Sequence, residues 1–273
     1  LMDADYARNL REDGGEGLEF ENALFIASTV MSAAAPGRAV VDAGHARVVV
    51  VDPAADAAWS FGEYGPFPGL MERPWRVREQ GGRLVVVDRG NHRLQEHAID
   101  GTLRGLWGIH ARRPHEGGGV IHDPADIAFD PAGRYAAILE PFEDRVQVFA
   151  RDPSTEMVDP ARLPQMERDA HFGVRVAADG PLLVLAEPEA HRVHLFDGRR
   201  PIPILVGDFG ERGEGFGLLL RPEGLSLDAE AGLIHVGDLA RRRLQQFLVA
   251  WDPDAPTGFV PGRFRFARSV DLT

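Results

Sequence analysis

Asp126, His171 and Glu223 are the residues of this sequence whose types and placement suit a cation. Each stands at the start of a short apolar run, at Pro124-Ala-Asp-Ile, His171-Phe-Gly-Val and Pro222-Glu-Gly-Leu. Carboxylates and imidazoles are the common protein ligands of divalent metals, and three of them converging within about 5 Å would hold one ion. The corresponding start at Pro74-Trp-Arg-Val offers Trp75 and Arg76, an indole and a planar cation suited to an anionic or planar ligand. Aligning the four starts puts Trp75, Ala125, Phe172 and Glu223 at one level, and Arg76, Asp126, Gly173 and Gly224 at the next. Trp75, Arg76, Asp126, His171 and Glu223 are therefore the candidate ligand-binding residues, and Asp126, His171 and Glu223 the candidate metal ligands. The plain alternative is a solvated surface with a few polar side chains. No catalytic set is assigned.

Composition removes several chemistries. The chain has 273 residues, no cysteine and no lysine, all 30 of its basic side chains being arginine. Without cysteine there is no thiolate nucleophile, disulfide or Cys-ligated metal. Without lysine there is no Schiff base, so pyridoxal phosphate is not an expected cofactor. The net charge of -12 argues against nucleic acid as the partner, since that binding rests on phosphate neutralisation. No apolar run approaches the ~18 residues of a membrane-spanning helix, so no membrane insertion is expected. The chain opens Leu1-Met-Asp-Ala-Asp, with no basic-then-apolar signal pattern, and the compartment stays open.

What must position these residues is a repeat. An acid closes a short apolar run and an arginine opens another five positions later: Asp42 and Arg47, Asp88 and Arg93, Glu140 and Arg145, Glu187 and Arg192, Asp238 and Arg243. Successive acids are 46, 52, 47 and 51 residues apart. Strand-like runs flank every pair, such as Leu84-Val-Val-Val before Asp88 and Val146-Gln-Val-Phe after Arg145. Turn residues bound the runs, among them Gln80-Gly-Gly-Arg, Asp130-Pro-Ala-Gly and Asp197-Gly. Four short antiparallel strands in about 45–50 residues make one blade of a β-propeller. The fold expected is all-β, a propeller of five four-stranded blades, the first opening near Leu24. The starts described above then become the first strands, which in a propeller line the central channel.

The run Val85-Val-Val-Asp-Arg-Gly-Asn-His-Arg-Leu-Gln resembles the signature of NHL-repeat propellers, and the resemblance extends over about residues 39–273. It is looser at Glu140-Pro-Phe-Glu-Asp-Arg and Asp238-Leu-Ala-Arg-Arg-Arg. That family usually has six blades, against five signatures here. The resemblance implies a ligand- or protein-binding module. Related propellers, the gluconolactonase-like lactonases and peptidyl-amidoglycolate lyases, hold a divalent cation, which makes a metal-dependent hydrolase or lyase the alternative. Residues 1–23 form an atypical segment ahead of a propeller at 24–273, and residues 1–45 carry 3 bases against 8 acids. The strings Phe20-Glu-Asn-Ala-Leu-Phe-Ile-Ala-Ser-Thr-Val-Met-Ser and Pro36-Gly-Arg-Ala-Val-Val-Asp-Ala-Gly-His resemble part of the C-terminal domain of D-threonine aldolase and D-serine dehydratase-like enzymes. The resemblance ends before that family's metal ligands and no functional residue is carried over; it implies, as a third reading, a remnant of a D-threonine aldolase or D-serine dehydratase-like protein.

The remaining motifs have bland readings. The acid–arginine pairs recur in every unit and are expected to be architectural, each contributing ~0–1 kcal/mol as an exposed pair. His45, His92 and His191 lie in turns of different blades, too far apart to share one ion. Arg241-Arg242-Arg243, Arg199-Arg200 and Arg112-Arg113 read as solvated loop charge. Glu116-Gly-Gly-Gly and Gly207-Asp-Phe-Gly-Glu-Arg-Gly-Glu-Gly lack the Lys-Ser/Thr of a phosphate loop and read as connections between blades, and 151–170 as a longer insertion.

Overall fold

The structure is a computed structural model. It describes residues 28–30, 37–52, 56–110, 120–130, 135–143, 145–150, 160–162, 175–179, 182–197, 204–228, 231–249 and 264–271. Among these there is no α-helix, and no helix long and apolar enough to cross a membrane. The chain divides into two compact units, Leu1–His110 and Ala111–Thr273.

The first unit holds two four-stranded antiparallel meanders. Blade A comprises β1 (Ser28–Val30), β2 (Arg38–Asp42), β3 (Arg47–Asp52) and β4 (Ala57–Phe61). Blade B comprises β5 (Pro74–Gln80), β6 (Arg83–Asp88), β7 (Arg93–Ala98) and β8 (Leu103–Trp107), and β9 (Ile109–His110) follows it. The second unit begins its described part with β10 (Val120–Ile121) and holds three more meanders. Blade C is β11 (Asp126–Phe129), β12 (Tyr135–Glu140), β13 (Arg145–Ala150) and β14 (Pro160–Arg162). Blade D is β15 (Arg175–Asp179), β16 (Leu182–Glu187), β17 (Arg192–Asp197) and β18 (Ile204–Phe209). Blade E is β19 (Pro222–Asp228), β20 (Leu233–Asp238), β21 (Arg243–Val249) and β22 (Phe264–Asp271). The five units read from the repeat are thus five sheets. β1 follows the expected opening of the first unit near Leu24 and pairs with β2; residues 1–27, with the start of the second resemblance and the atypical segment 1–23, lie outside the described residues.

Local chemistry fixes the turns. Gln80 pairs with Arg83 across Gly81 and Gly82, both at positive φ (59° and 79°), as a two-residue hairpin of type I′ demands. The blade's middle strands are apolar on both faces because each face packs on something. In blade D, Leu183 and Leu185 enter a cluster with Tyr135, Ala137 and Leu139 of blade C. Leu182 and Val184 enter another with Ile234, Val236 and Phe247 of blade E. Hence Leu182–Glu187 is buried at every position, where a one-sided strand would alternate. Blades A and B share a core in the same way, through Val41, Val48, Val77 and Val86.

The acid–arginine pairs do more than the sequence suggests. In all five blades the acid and the arginine are cross-strand partners closing the second hairpin. The acids are buried rather than exposed, none above 2%. In blade B, Asp88 Oδ2 accepts from Arg93 Nε at 2.8 Å, Asn91 Nδ2 at 2.9 Å and Gln95 Nε2 at 2.9 Å. Its Oδ1 accepts the backbone N–H of Glu72 at 2.7 Å. Arg93 also donates to the carbonyls of Pro66, Phe67 and Leu70, and Gln95 to that of Leu70. The segment leading into β5 is therefore clamped by the blade it enters. Blade C repeats this with Glu140, Arg145 and Gln147 holding Val120 O and His122 N–H. Blade E repeats it with Asp238, Arg243 and Gln245 holding Leu218 O, Gly217 N–H and Arg221 N–H. Each clamp presses one apolar side chain into the core, Met71, Ile121 and Leu219 respectively, all fully buried.

Blade D departs from this pattern. Glu187 accepts from His194 Nε2 at 2.7 Å, while Arg192 turns to Asp208. Arg192 keeps 45% of its side chain exposed. Arg93→Ala, which strands the fully buried Asp88 carboxylate, is expected to cost about 3–5 kcal/mol. Arg192→Ala at the matching position is expected to cost less than about 1 kcal/mol. Equal losses in denaturant unfolding of the two variants would contradict the clamp.

Candidate functional site

The first strands carry the sequence-predicted residues. Trp75 is the extra residue of a bulge between Pro74 and Arg76, and Glu223 occupies the same bulge between Pro222 and Gly224. The alignment of these two positions is thus reproduced in backbone geometry. Arg76, Asp126 and Gly224 pair with Val87, Leu139 and Gly237, each the residue before the clamp acid. In blade D the residue at that register is Arg175, opposite Ala186. The sequence alignment places Gly173 there, two positions early, because it matches His171 to the prolines of the other blades. His171 lies outside the described residues.

These side chains have partners. Arg89 stacks on the Trp75 indole with its Cζ 4.7 Å from the ring centroid. Arg76 is 8% exposed and directs Nη1 at the Trp75 carbonyl, 3.5 Å away. Asp126 is buried, with Oδ1 accepting the Ile127 N–H at 2.9 Å. Glu223 forms an ion pair with Arg221. Trp75 and Arg76 belong to the first unit, Asp126 and Glu223 to the second. Among the described residues no three His, Asp or Glu side chains gather as metal ligands.

The turn histidines have local work. His45 Nδ1 meets Asp42 Oδ2 at 2.9 Å, and His191 Nδ1 donates to Leu220 O at 2.7 Å. His92 and His191 adopt left-handed backbone at φ 54° and 59°, as do Ala46 and Arg242 at the matching turn positions. The one-residue offset of His45 is therefore real: Ala46 takes the place of His92. The Arg241-Arg242-Arg243 triplet splits into three roles. Arg241 pairs with Glu214 at 3.4 Å, Arg242 stands exposed on the turn, and Arg243 is the buried clamp.

Sequence reasoning missed two sets of residues. Gln95, Gln147 and Gln245 complete the clamps, and the signal was available as a glutamine two positions after the arginine in three of five units. Exposed aromatic side chains form the second set. The loop from β4 to β5 exposes Tyr64 (73%) and Phe67 (71%), and the loop from β18 to β19 exposes Phe216 (75%). Phe142 and Leu239, both 53% exposed, lie in the turns between second and third strands of blades C and E. In an antiparallel meander these turns and the loops leading into first strands emerge at the same end of the sheet. Both aromatic loops lie in Gly-rich stretches, where Gly65 and Gly213 let Leu70 and Leu218 approach closely.

No protein-family model matches the chain, and no curated protein matches it. Solved structures do. An inactive variant of virginiamycin B lyase from Staphylococcus aureus, solved with quinupristin, is similar at TM-score 0.60 and 12% identity. The similarity covers 83% of this chain and 67% of that one. The β-propeller domain of Cps50 (Swd1) from Myceliophteria thermophila is similar at TM-score 0.62 and 13% identity, over 88% of this chain and 70% of that one. Likeness at such identity shows the fold: the chain is an all-β propeller built of four-stranded antiparallel blades.

One buried titratable group stands apart from the clamps. His97 on β7 is 1% exposed, its ring 4.6 Å from that of Phe61. Nδ1 donates to the Gly101 carbonyl at 3.0 Å, and the buried Nε2 has no hydrogen-bond partner among the described residues. Burial pushes its pKa below 6.5, outweighing the opposing effects of the Gly101 bond and the Asp88 charge. A histidine held neutral by the fold stabilises fully above its unfolded pKa, and that stability is lost as pH falls through the depressed folded value. His97→Phe is therefore expected to flatten the fall of unfolding free energy below about pH 6.5. Parallel curves for the two proteins between about pH 7 and 5 would assign that fall to other groups.

Proposed function

We propose that this chain is an NHL-repeat type propeller that acts as a binding module for a protein or small-molecule ligand, not as an enzyme. The observation that carries this reading is a division of labour. The repeated charged residues are consumed inside the blades, with the Asp88 carboxylate accepting four hydrogen bonds. The large apolar side chains Tyr64, Phe67, Phe142, Phe216 and Leu239 stand in water on the loops and turns that those clamps fasten. Exposed aromatic groups on fixed loops are what interfaces use as anchors. The blade architecture and the signature at Val85–Gln95 support the NHL assignment. The resemblance of residues 1–45 adds no chemistry to this reading, because the chain has no lysine.

The alternative is a metal-dependent hydrolase or lyase, with Asp126, His171 and Glu223 as ligands. What favours it is the likeness to a lyase propeller, at an identity that carries the fold alone. The Arg221–Glu223 ion pair weighs against it, since a metal would have to displace the guanidinium.

One experiment separates the two. Random peptides displayed on phage are selected on the immobilised chain. Enriched peptides are expected to bind Phe67→Ser or Phe216→Ser at least about fivefold more weakly. Their affinity should be unchanged in Leu106→Ser and Leu205→Ser, which make a similar change on fourth strands. No enrichment, together with a stoichiometric divalent metal that elemental mass spectrometry finds lost in Glu223→Ala, would replace the binding reading with the metal-dependent one.

A further inference from the structure

Blade E and the loop that enters it carry exposed apolar groups and exposed arginines together. Phe216 projects from the loop leading into β19, and its ring stacks on Phe266 of β22 at 5.7 Å and 19°. Phe266 in turn packs on the core shared by blades D and E. Arg243 fixes the loop on both sides of Phe216, donating to Glu214 O at 2.9 Å and Leu218 O at 2.7 Å. The neighbouring turn brings Leu239, whose N–H donates to Arg221 O at 3.0 Å. Arg241 ties the turn to the loop through Glu214. The aromatic ring is thus held in place before any ligand arrives, which spares the cost of ordering it on binding.

Charged side chains stand on the same loop and turn. Arg212, Arg221, Arg241 and Arg242 are exposed on the same loop and turn, beside Glu211, Glu214 and Glu223. Arg221 and Arg241 have carboxylate partners, and the side chains of Arg212 and Arg242 have none among the described residues. A local excess of arginine is unusual in a chain of net charge -12. On the same loop and turn as this apolar anchor, two guanidiniums against one carboxylate, Glu211, lack an opposite charge among the described residues, and that excess favours an anionic partner that also has apolar side chains. Nucleic acid fits less well, since its binding draws on many phosphate contacts and three carboxylates stand within this surface.

We propose that this surface docks a short acidic peptide segment, with an apolar side chain on Phe216 and Leu239 and carboxylates on Arg212 and Arg242. The inference rests on the binding-module reading and gives that module a partner chemistry. Within that frame Phe216 is the rigid anchor and the arginines set the sign of the partner's charge.

The test is fluorescence polarisation of the full chain with three labelled probes: the peptide Asp-Glu-Phe-Asp-Glu-Leu-Asp, its counterpart with Arg for every acid, and a short oligouridylate. The acidic peptide is expected to bind, and the arginine counterpart not. Phe216→Ser and the double variant Arg212→Glu/Arg242→Glu should each weaken binding by roughly fivefold or more. Arg104→Glu, the same charge reversal on exposed β8, should leave it unchanged. Added salt should weaken the acidic peptide through its arginine contacts. Tighter binding of the oligouridylate, absence of acidic-peptide binding, or equal affinity in all variants would overturn the proposal. If the phage selection still yields peptides sensitive to Phe216→Ser but without acidic residues, the module reading stands and only this partner chemistry falls.

Discussion

A carboxylate buried at the end of a β-strand has to find its whole hydration shell inside the protein, and the rest of this fold is arranged around that demand. Leaving it short would cost several kcal/mol. Asp88 meets the requirement with one guanidinium, two amide side chains and a backbone N–H. The backbone N–H matters most for architecture, because it belongs to the segment entering the blade and not to the hairpin that carries the acid. Satisfying the carboxylate therefore positions the connection. The arginine completes the hold by donating to carbonyls of the same segment. One electrostatic need thus links hairpin closure, loop conformation and the depth of Met71 in the core.

The contrast between blades shows what happens when a partner changes. Blades B, C and E combine acid, arginine and glutamine. Blade A has Val49 at the glutamine position and fastens Asp42 with His45 instead. Blade D has His194, which takes Glu187 for itself while the arginine moves away to Asp208. In those two blades one buried carboxylate oxygen, Asp42 Oδ1 or Glu187 Oε1, has no hydrogen bond among the described residues. They are also the blades whose leading segments fall mostly outside the described residues. Register is nevertheless kept in all five, since Glu187 still faces Arg192 across the hairpin. Strand pairing and the two-sided apolar core hold the hairpin; the clamp decides what the connection does.

Much of this was legible in the sequence, and the reasons are specific. The pairing of acid and arginine five positions apart survives as a hairpin register because a tight turn leaves little choice of spacing. The runs of Val and Leu announce strands, while burial of both faces, as at Leu182–Glu187, comes from packing between blades. Burial of the acids was not legible, because composition cannot distinguish a solvated pair from one covered by a loop that arrives from 16 residues upstream, as the Glu72 contact with Asp88 does. Aligning prolines put Trp75 and Glu223 at one level, and the structure shows that level to be a bulge. The same device misjudged blade D, where histidine stands in the proline's apparent place and Arg175 carries the register. Loop aromatics went unnoticed because an isolated Phe among glycines has no periodicity to betray whether it points in or out.

The position three residues after each clamp acid shows how a fixed frame can carry variable chemistry. It is His45, Asn91, Glu143, Ala190 and Arg241 in the five blades. His45 and Asn91 turn back to their own acids, Glu143 takes His122, and Arg241 reaches Glu214. The backbone there is pinned by the turn, so the side chain can vary without endangering the sheet. Deep in the clamp, by contrast, the acid and arginine are buried against each other, and substitution strands a charge. Selection for binding can therefore act on exposed loop and turn positions while the clamp stays the same. Phe216 and Arg242 lie at such positions, close to backbone that Arg243 holds still.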